Sequence, residues 1–522
     1  MISPAVLEQP GRWRVIGLAL GLAIALSPAA PLLWGLGAAS GAAFELGGEF
    51  PKALGRGMIV AAGAAITALI LGFPSGLLAG LYRFPARRLL LAGIAVPLAT
   101  PSFLWAIGLS TLRIELGLPR DSFLSGASGC ILSFAALGTP LVVFAVLLAV
   151  RSLPASNLDA ARLAGGEPAV LRYTGRAALP AALSACLLAG ILSLADPGPG
   201  QILGFPGAAT QVLVSFSALY DFELAARQCL VIAGIVLVAA LPLVWFSARK
   251  LTIGLLPRDT AFTEPRKWPA AVWAGPLLLG LVFLAIVLTP LAGLVQPVLG
   301  RLWLDRISET VLRTGGNTLL YGLLAGAVAT AMAAGLAICA GRAASLRGAL
   351  VAGLILVFVL PPALGALGTA FVASAAPAWL DPILRSRFTV GAVLGLRMTP
   401  IAGIVLLRAM GVASPFWALA AAVHAVPLSR YLRKVLAPIL AGPIAVSIAL
   451  AALLATADVT TVLLLQPPGE TSFPAALFTV MANAPESMVA SLCLGYVLAV
   501  AMAIGVALFA ASRSSRMLQA VS

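Results

Sequence analysis

Apolar residues along this chain neither alternate with polar ones nor return every third or fourth position; they fill whole segments. Runs of roughly twenty residues, the length of helix that crosses a hydrocarbon core of about 30 Å, centre near residues 25, 69, 100, 140, 188, 237, 281, 327, 360, 398, 450 and 499. A barrel strand would alternate along its length, and these runs do not. The pattern predicts an all-α integral membrane protein of about twelve transmembrane helices. The first run, Trp13 to Leu36, follows Arg12 and Arg14 and contains "SPAAP", which has the small-residue character of a leader cleavage site. Because the run continues past that point, it reads as a retained span.

Composition agrees with the pattern. Of 522 residues, 61% are hydrophobic and 10% charged, and the mean hydropathy is +1.06. Soluble domains carry about 25% charged residues, so this chain has too little charge to clothe a water-facing body. The 52 glycines and 37 prolines are tolerable in membrane helices where neighbours satisfy the backbone.

A net charge of +15 raises the question of nucleic acid. With a cytoplasmic N-terminus, most of the 33 Lys and Arg fall in loops on one face, Arg87, Arg88, Arg172, Arg176, Arg430 and Arg433 among them. That is the positive-inside distribution, and it places both termini in the cytoplasm. The bilayer, with its anionic lipid, accounts for the excess charge, and no nucleic-acid partner is expected. Cys130, Cys186, Cys229, Cys339 and Cys493 show no C-x-x-C spacing, and His424 is the one histidine. A His/Cys zinc site is not expected, nor any metal or cofactor held by this chain.

The chain also resembles itself at a separation of about 260 residues. Pro101 and Gly108 in "PSFLWAIG" answer Pro361 and Gly368 in "PPALGALG", Thr139-Pro140 answers Thr399-Pro400, Arg87 answers Arg347, and Asp196 answers Asp458. The expected organisation is a first six-span unit over 1–250, a cytoplasmic linker over 251–268 and a second six-span unit over 269–522. Six spans bring the chain back to its starting side, so the repeats are parallel.

Three ionisable residues fall within spans, namely Asp196, Asp458 and Arg397. Charge in hydrocarbon costs roughly 2.5–3.5 kcal/mol or more, so each must pair or face a cavity. For the aspartates two roles fit: a gate or vestibule on a pathway, or hydrogen bonding at a local helix break. Arg397, whose counterpart is Leu137, either neutralises an aspartate or meets an anionic ligand. The outer segments Gly204 to Glu223 and Gln466 to Glu486 are apolar but irregular, and read as short plugging or docking helices or as packed connections.

Between the fourth and fifth spans lies "LDAARLAGGEPAVLRYTGRAALP", Leu158 to Pro180, and its counterpart is "LAAAVHAVPLSRYLRKVLAP", Leu419 to Pro438. Each has an Ala-rich piece, a Gly or Pro break and a basic piece entering the next span at a proline. Asp159, Ala160, Ala161 and Gly165 resemble the coupling loop of ABC-importer permeases, an EAA triplet followed at fixed spacing by glycine. Asp stands where the family has Glu, and Leu179-Pro180 falls two residues late. In the second copy Leu419, Ala420, Ala421 and Ala425 occupy the corresponding places, without the acidic residue or the glycine. Two fused six-span units resemble the ferric-iron and thiamine importers, and Leu463 to Met481 is most similar to the ferric-iron type.

The resemblance implies a bacterial inner-membrane transport subunit with no enzymatic activity of its own. An ABC ATPase dimer on the cytoplasmic side would use ATP and Mg, and a periplasmic binding protein would deliver solute. This chain has no G-x-x-x-x-G-K-[ST] loop; its lysines are Lys52, Lys250, Lys267 and Lys434, none in that setting. Two other classes remain open: an ion-coupled secondary transporter driven through Asp196 or Asp458, and a membrane-embedded enzyme.

Overall fold

A computed structural model of the chain describes residues 11–32, 45–254, 265–412 and 415–521. The middle of the expected linker, 255–264, and the end of the first apolar run, 33–36, lie outside the described residues. Within them regular structure is helical, apart from one isolated bridge between Tyr82 and Arg266. Among the described residues nine helices are long and apolar enough to cross a membrane, or eleven if each of two sharply bent pairs counts as one span. The helix over the first run, α1 (Arg12–Leu26), has 15 described residues, fewer than a span needs.

The helices after α1 are α2 (Phe50–Leu81), α3 (Arg87–Ala95), α4 (Ser102–Glu115), α5 (Gly126–Arg151), α6 (Ala155–Leu194), α7 (Gly198–Ile202), α8 (Ala208–Ser217) and α9 (Phe222–Gly254). They continue with α10 (Pro269–Phe283), α11 (Thr289–Gly300), α12 (Leu304–Ala340), α13 (Ala344–Val359), α14 (Pro362–Ala375), α15 (Asp381–Leu384) and α16 (Arg387–Val412). The last are α17 (Pro415–Val423), α18 (Leu428–Tyr431), α19 (Ala437–Thr456), α20 (Val459–Leu465), α21 (Phe473–Val480) and α22 (Glu486–Val521).

The runs centred near residues 100 and 360 are not straight spans. The segment Arg87–Ala99 bends by 104° into α4, and α13 bends by 80° into α14. The cause is local: a residue before proline is driven out of the helical region. Thr100, before Pro101, has φ −121° and ψ 145°, and Leu360, before Pro361, has φ −59° and ψ 139°. Proline also explains two π turns, Leu284–Leu288 and Leu432–Leu436. Each comes just ahead of a proline, Pro290 or Pro438, whose ring cannot sit against the carbonyl four residues back.

The chain forms two compact units that do not follow its halves. One comprises Met1–Pro51, Gln211–Thr260 and Gly316–Ser472; the other comprises Lys52–Thr210, Ala261–Gly315 and Phe473–Ser522. In the first, α1 and α9 pack on α13, while α16 packs on α19. In the second, α5 packs on α6, and α11 packs on both α4 and α22. Each unit thus takes helices from both ends of the expected linker. The sequence division at 1–250, 251–268 and 269–522 describes repetition, which compactness does not measure.

Glycines open the way for these exchanged helices. A methyl on Gly108 of α4 would collide with the backbone oxygen of Pro290, and one on Gly368 of α14 with the backbone oxygen of Pro28. Gly93 faces Phe283 in the same way that Gly353 faces Leu22. Close helix contact through glycine is a common membrane solution, since the apolar effect does not hold helices together in lipid. Both sets pair residues at the separation of about 260 already read in the sequence.

Candidate functional site

The first polar loop is the N-terminal part of α6. Pro154 caps it in extended conformation, and Leu158 is fully buried, which anchors the short helix. Asp159, Ala160, Leu163, Ala164 and Gly165 are exposed while Ala161 is partly so. Leu163 is 92% exposed. The helix breaks at the glycine pair: Gly165 has φ −169° and ψ 24°, Gly166 φ 67° and ψ −160°. The second conformation is essentially open to glycine alone, so the conformational requirement falls on Gly166 rather than on the expected Gly165.

A polar network holds this break. Arg162 Nη1 donates to Asp159 Oδ1 at 2.9 Å, Arg162 Nε to Glu167 Oε1 at 3.0 Å, and the Tyr82 hydroxyl to Glu167 Oε2 at 2.5 Å. Tyr82 in turn packs its ring on Trp268, with centroids 5.0 Å apart, and the neighbouring backbone bonds to Arg266 in both directions at 2.9 Å. The end of the linker region is therefore tied to the first polar loop through one phenol. Burial first, then the hydrogen bond and charge of Glu167, hold the Tyr82 pKa well above its ordinary value, so it stays a donor. Neither Glu167 nor Tyr82 stands out in the sequence, since a lone tyrosine at a helix end carries no signal of a partner far along the chain.

The second loop is α17 with the turn that follows it. Ala418 is buried and anchors it as Leu158 anchors the first. Leu419 and Ala420 are exposed, Ala421 is partly exposed, and Val423 is 84% exposed. Val426 N donates to Ala421 O at 2.9 Å, and Ala425 has φ 52°. This is a Schellman ending with alanine in the left-handed place usually held by glycine. Residue by residue, the two loops share one sequence of buried, exposed and half-exposed positions from Leu158 to Gly165 and from Ala418 to Ala425.

The intramembrane charges are placed as follows. Arg397, in the middle of α16, donates from Nη1 to Asp458 Oδ2 at 3.0 Å, and their side chains are 17% and 5% exposed. Asp458 also caps α20, accepting from Thr461 N and Thr461 Oγ1 at 3.0 Å each. Asp196 accepts from Gly198 N at 2.9 Å, at the break before α7. Asp458 thus engages Arg397 and its own helix start, and Asp196 engages its local turn; the two aspartates lie in different compact units. In the outer segment, Arg387 Nε lies 2.6 Å from Glu470 Oε2, and the Tyr321 hydroxyl donates to Glu470 O at 2.6 Å.

With this geometry in hand, comparison with known proteins finds curated relatives in Salmonella. One, from Salmonella choleraesuis (strain SC-B67), is named "Putative 2-aminoethylphosphonate transport system permease protein PhnU"; it is 30% identical over 159 residues, 28% of this chain and 55% of its own length. The protein of the same name from Salmonella typhi is likewise 30% identical over 159 residues, 54% of its length. The chain spans about half the length of the curated relatives it matches. No family model and no solved structure matches. The chain is therefore similar to transport-system permease proteins, in keeping with its apolar helices.

Proposed function

We propose that this chain is the permease subunit of an ABC importer, forming the path by which a solute crosses the bacterial inner membrane. The observation that carries the reading is the pair of loops, Leu158–Gly165 and Ala418–Ala425. Two short helices at equivalent places share one burial pattern, and each ends in a backbone break. Each also raises one large apolar side chain, Leu163 or Val423, almost fully into solvent. An exposed apolar side chain at the end of a short helix, present twice, suits insertion into a partner's cleft. Similarity to permease proteins over part of the chain supports the same reading.

In this proposal the chain has twelve spans in two parallel six-span repeats. The nine long helices and two bent pairs among the described residues supply eleven, and the first apolar run, Trp13 to Leu36, supplies the twelfth. Both termini are cytoplasmic. An ATPase dimer grips the two loops, ATP and Mg are used there, and a periplasmic binding protein presents the solute. ATP-driven closure draws the loops together and opens the path outward; hydrolysis resets it. Asp159, Ala160, Ala161 and Gly165 with Leu419, Ala420, Ala421 and Ala425 form the coupling surface, and Asp196, Asp458 and Arg397 are placed near the path.

For the solute, the resemblance of Leu463 to Met481 to ferric-iron permeases and the names of the relatives point to different cargo. A small phosphonate is favoured, because that similarity covers 159 residues rather than one segment.

The test is purification with the ATPase encoded beside this chain. ATPase should co-purify, and Leu163→Asp should reduce its retention and ATP-driven uptake at least tenfold, with Val423→Asp doing so less strongly because its loop lacks the Glu167 network. If no ATPase co-purifies and the chain alone accumulates solute on a proton gradient, the ion-coupled alternative replaces this reading.

A further inference from the structure

We infer that Arg397 is a receptor for the oxyanion head group of the transported solute, and that Asp458 is its positioning residue. The inference rests on the permease reading only in treating the bound group as cargo.

A structural ion pair in an apolar setting is expected to leave neither partner wanting, since a buried polar group without a partner is costly. Asp458 meets that expectation: Oδ1 accepts from Thr461 N, and Oδ2 accepts from Thr461 Oγ1 and Arg397 Nη1. Arg397 does not. A guanidinium carries five N–H donors, one bond goes to Asp458, and the buried Nε has no hydrogen-bond partner. The charge has been fixed in place with donor capacity to spare.

Arg397 borders a cavity. A space of about 40 Å³ is lined by Arg397, Thr461, Leu360, Pro361, Gly365 and Val393, room for roughly three waters or one compact head group. It lies at the proline-induced bend between α13 and α14, where straight-helix packing is interrupted. Apart from Arg397 and Thr461, those walls are apolar or glycine. A planar cationic fork in such a pocket matches the two or three oxygens of a carboxylate or phosphonate better than a lone ammonium would. A cationic head group is disfavoured, because both oxygens of Asp458 already accept hydrogen bonds. The site occurs once, since Leu137 stands at the repeat-equivalent position.

The experiment uses the full chain in lipid nanodiscs, with methylphosphonate and acetate as oxyanion probes and methylammonium as the cationic control. Saturable binding of an oxyanion is expected, and the tighter of the two identifies the head-group class; methylammonium should not compete. Arg397→Lys, which keeps the charge and loses the fork, should weaken binding at least tenfold. Gly365→Ala narrows the cavity without touching the ion pair: its new Cβ would sit 3.4 Å from Pro28 Cβ and 3.7 Å from Val393 Cγ1, ordinary contact that the fold accepts. It too should weaken binding, and it decides the matter if Arg397→Lys fails to insert. No saturable oxyanion binding, or binding undiminished in these variants, overturns the inference. ATP-driven uptake without oxyanion binding removes this site and leaves the permease reading, whereas saturable binding in a chain that recruits no ATPase does the reverse.

Discussion

At the scale of single residues, the two polar loops differ in how they turn. Gly166, at φ 67° and ψ −160°, occupies a region that side chains do not tolerate, at a cost of order 1–3 kcal/mol. Ala425, at φ 52°, sits in the left-handed region at a cost of roughly 1–2 kcal/mol. Glycine there would remove that strain but lose about 0.5–1 kcal/mol of backbone entropy. The balance favours glycine, so Ala425→Gly should stabilise by up to about 1.5 kcal/mol, and Gly166→Ala should destabilise by about 1–3 kcal/mol. Thermal melts of the detergent-solubilised variants measure both; a lower melting temperature for Ala425→Gly would show that its turn is not strained. The sequence revealed both turns through Gly165-Gly166 and the Ala425–Pro427 stretch, but not which residue carries the unusual torsion, because either glycine fits either conformation.

At the scale of elements, the apolar runs reported which segments are helical and where each is centred, but not that two of them break, at Pro101 and Pro361. Hydropathy alone could not show that these runs bend by 104° and 80°, since it sums over residues without regard to direction. What Gly108 and Gly368 are for also needed the packed neighbours. Each admits a proline backbone from elsewhere in its unit, Pro290 of α11 in one and Pro28, in the turn after α1, in the other. Gly108→Ala and Gly368→Ala must each push two backbones apart, and overpacking of this kind costs typically about 1–3 kcal/mol. Gly442→Ala, where an added Cβ meets nothing within 4 Å, is the control and should be close to neutral. Comparable melting temperatures for all three variants would mean that the close approaches do not bear on stability.

At the scale of the whole molecule, each compact unit draws on both halves of the chain. Helices α1 and α9 pack on second-half helix α13, and α11 packs on first-half helix α4. Neither half can therefore complete its packing alone. Expressed separately, 1–250 and 269–522 should each be degraded or aggregate, while co-expression of the two should restore protease resistance and co-purification. Independent stability of either half would contradict the exchanged packing.

The sequence by itself determined the membrane class, the positions of the long apolar helices and the two polar loops. These follow from the transfer free energy and backbone limits of consecutive residues, so a local pattern contains them. The tertiary structure alone decided that Arg397 pairs with Asp458, that Tyr82 reaches Glu167, and that first and last helices are exchanged between halves. Those depend on which distant segments meet, and in a chain where almost every segment is equally apolar, hydropathy offers no means of telling one partner from another.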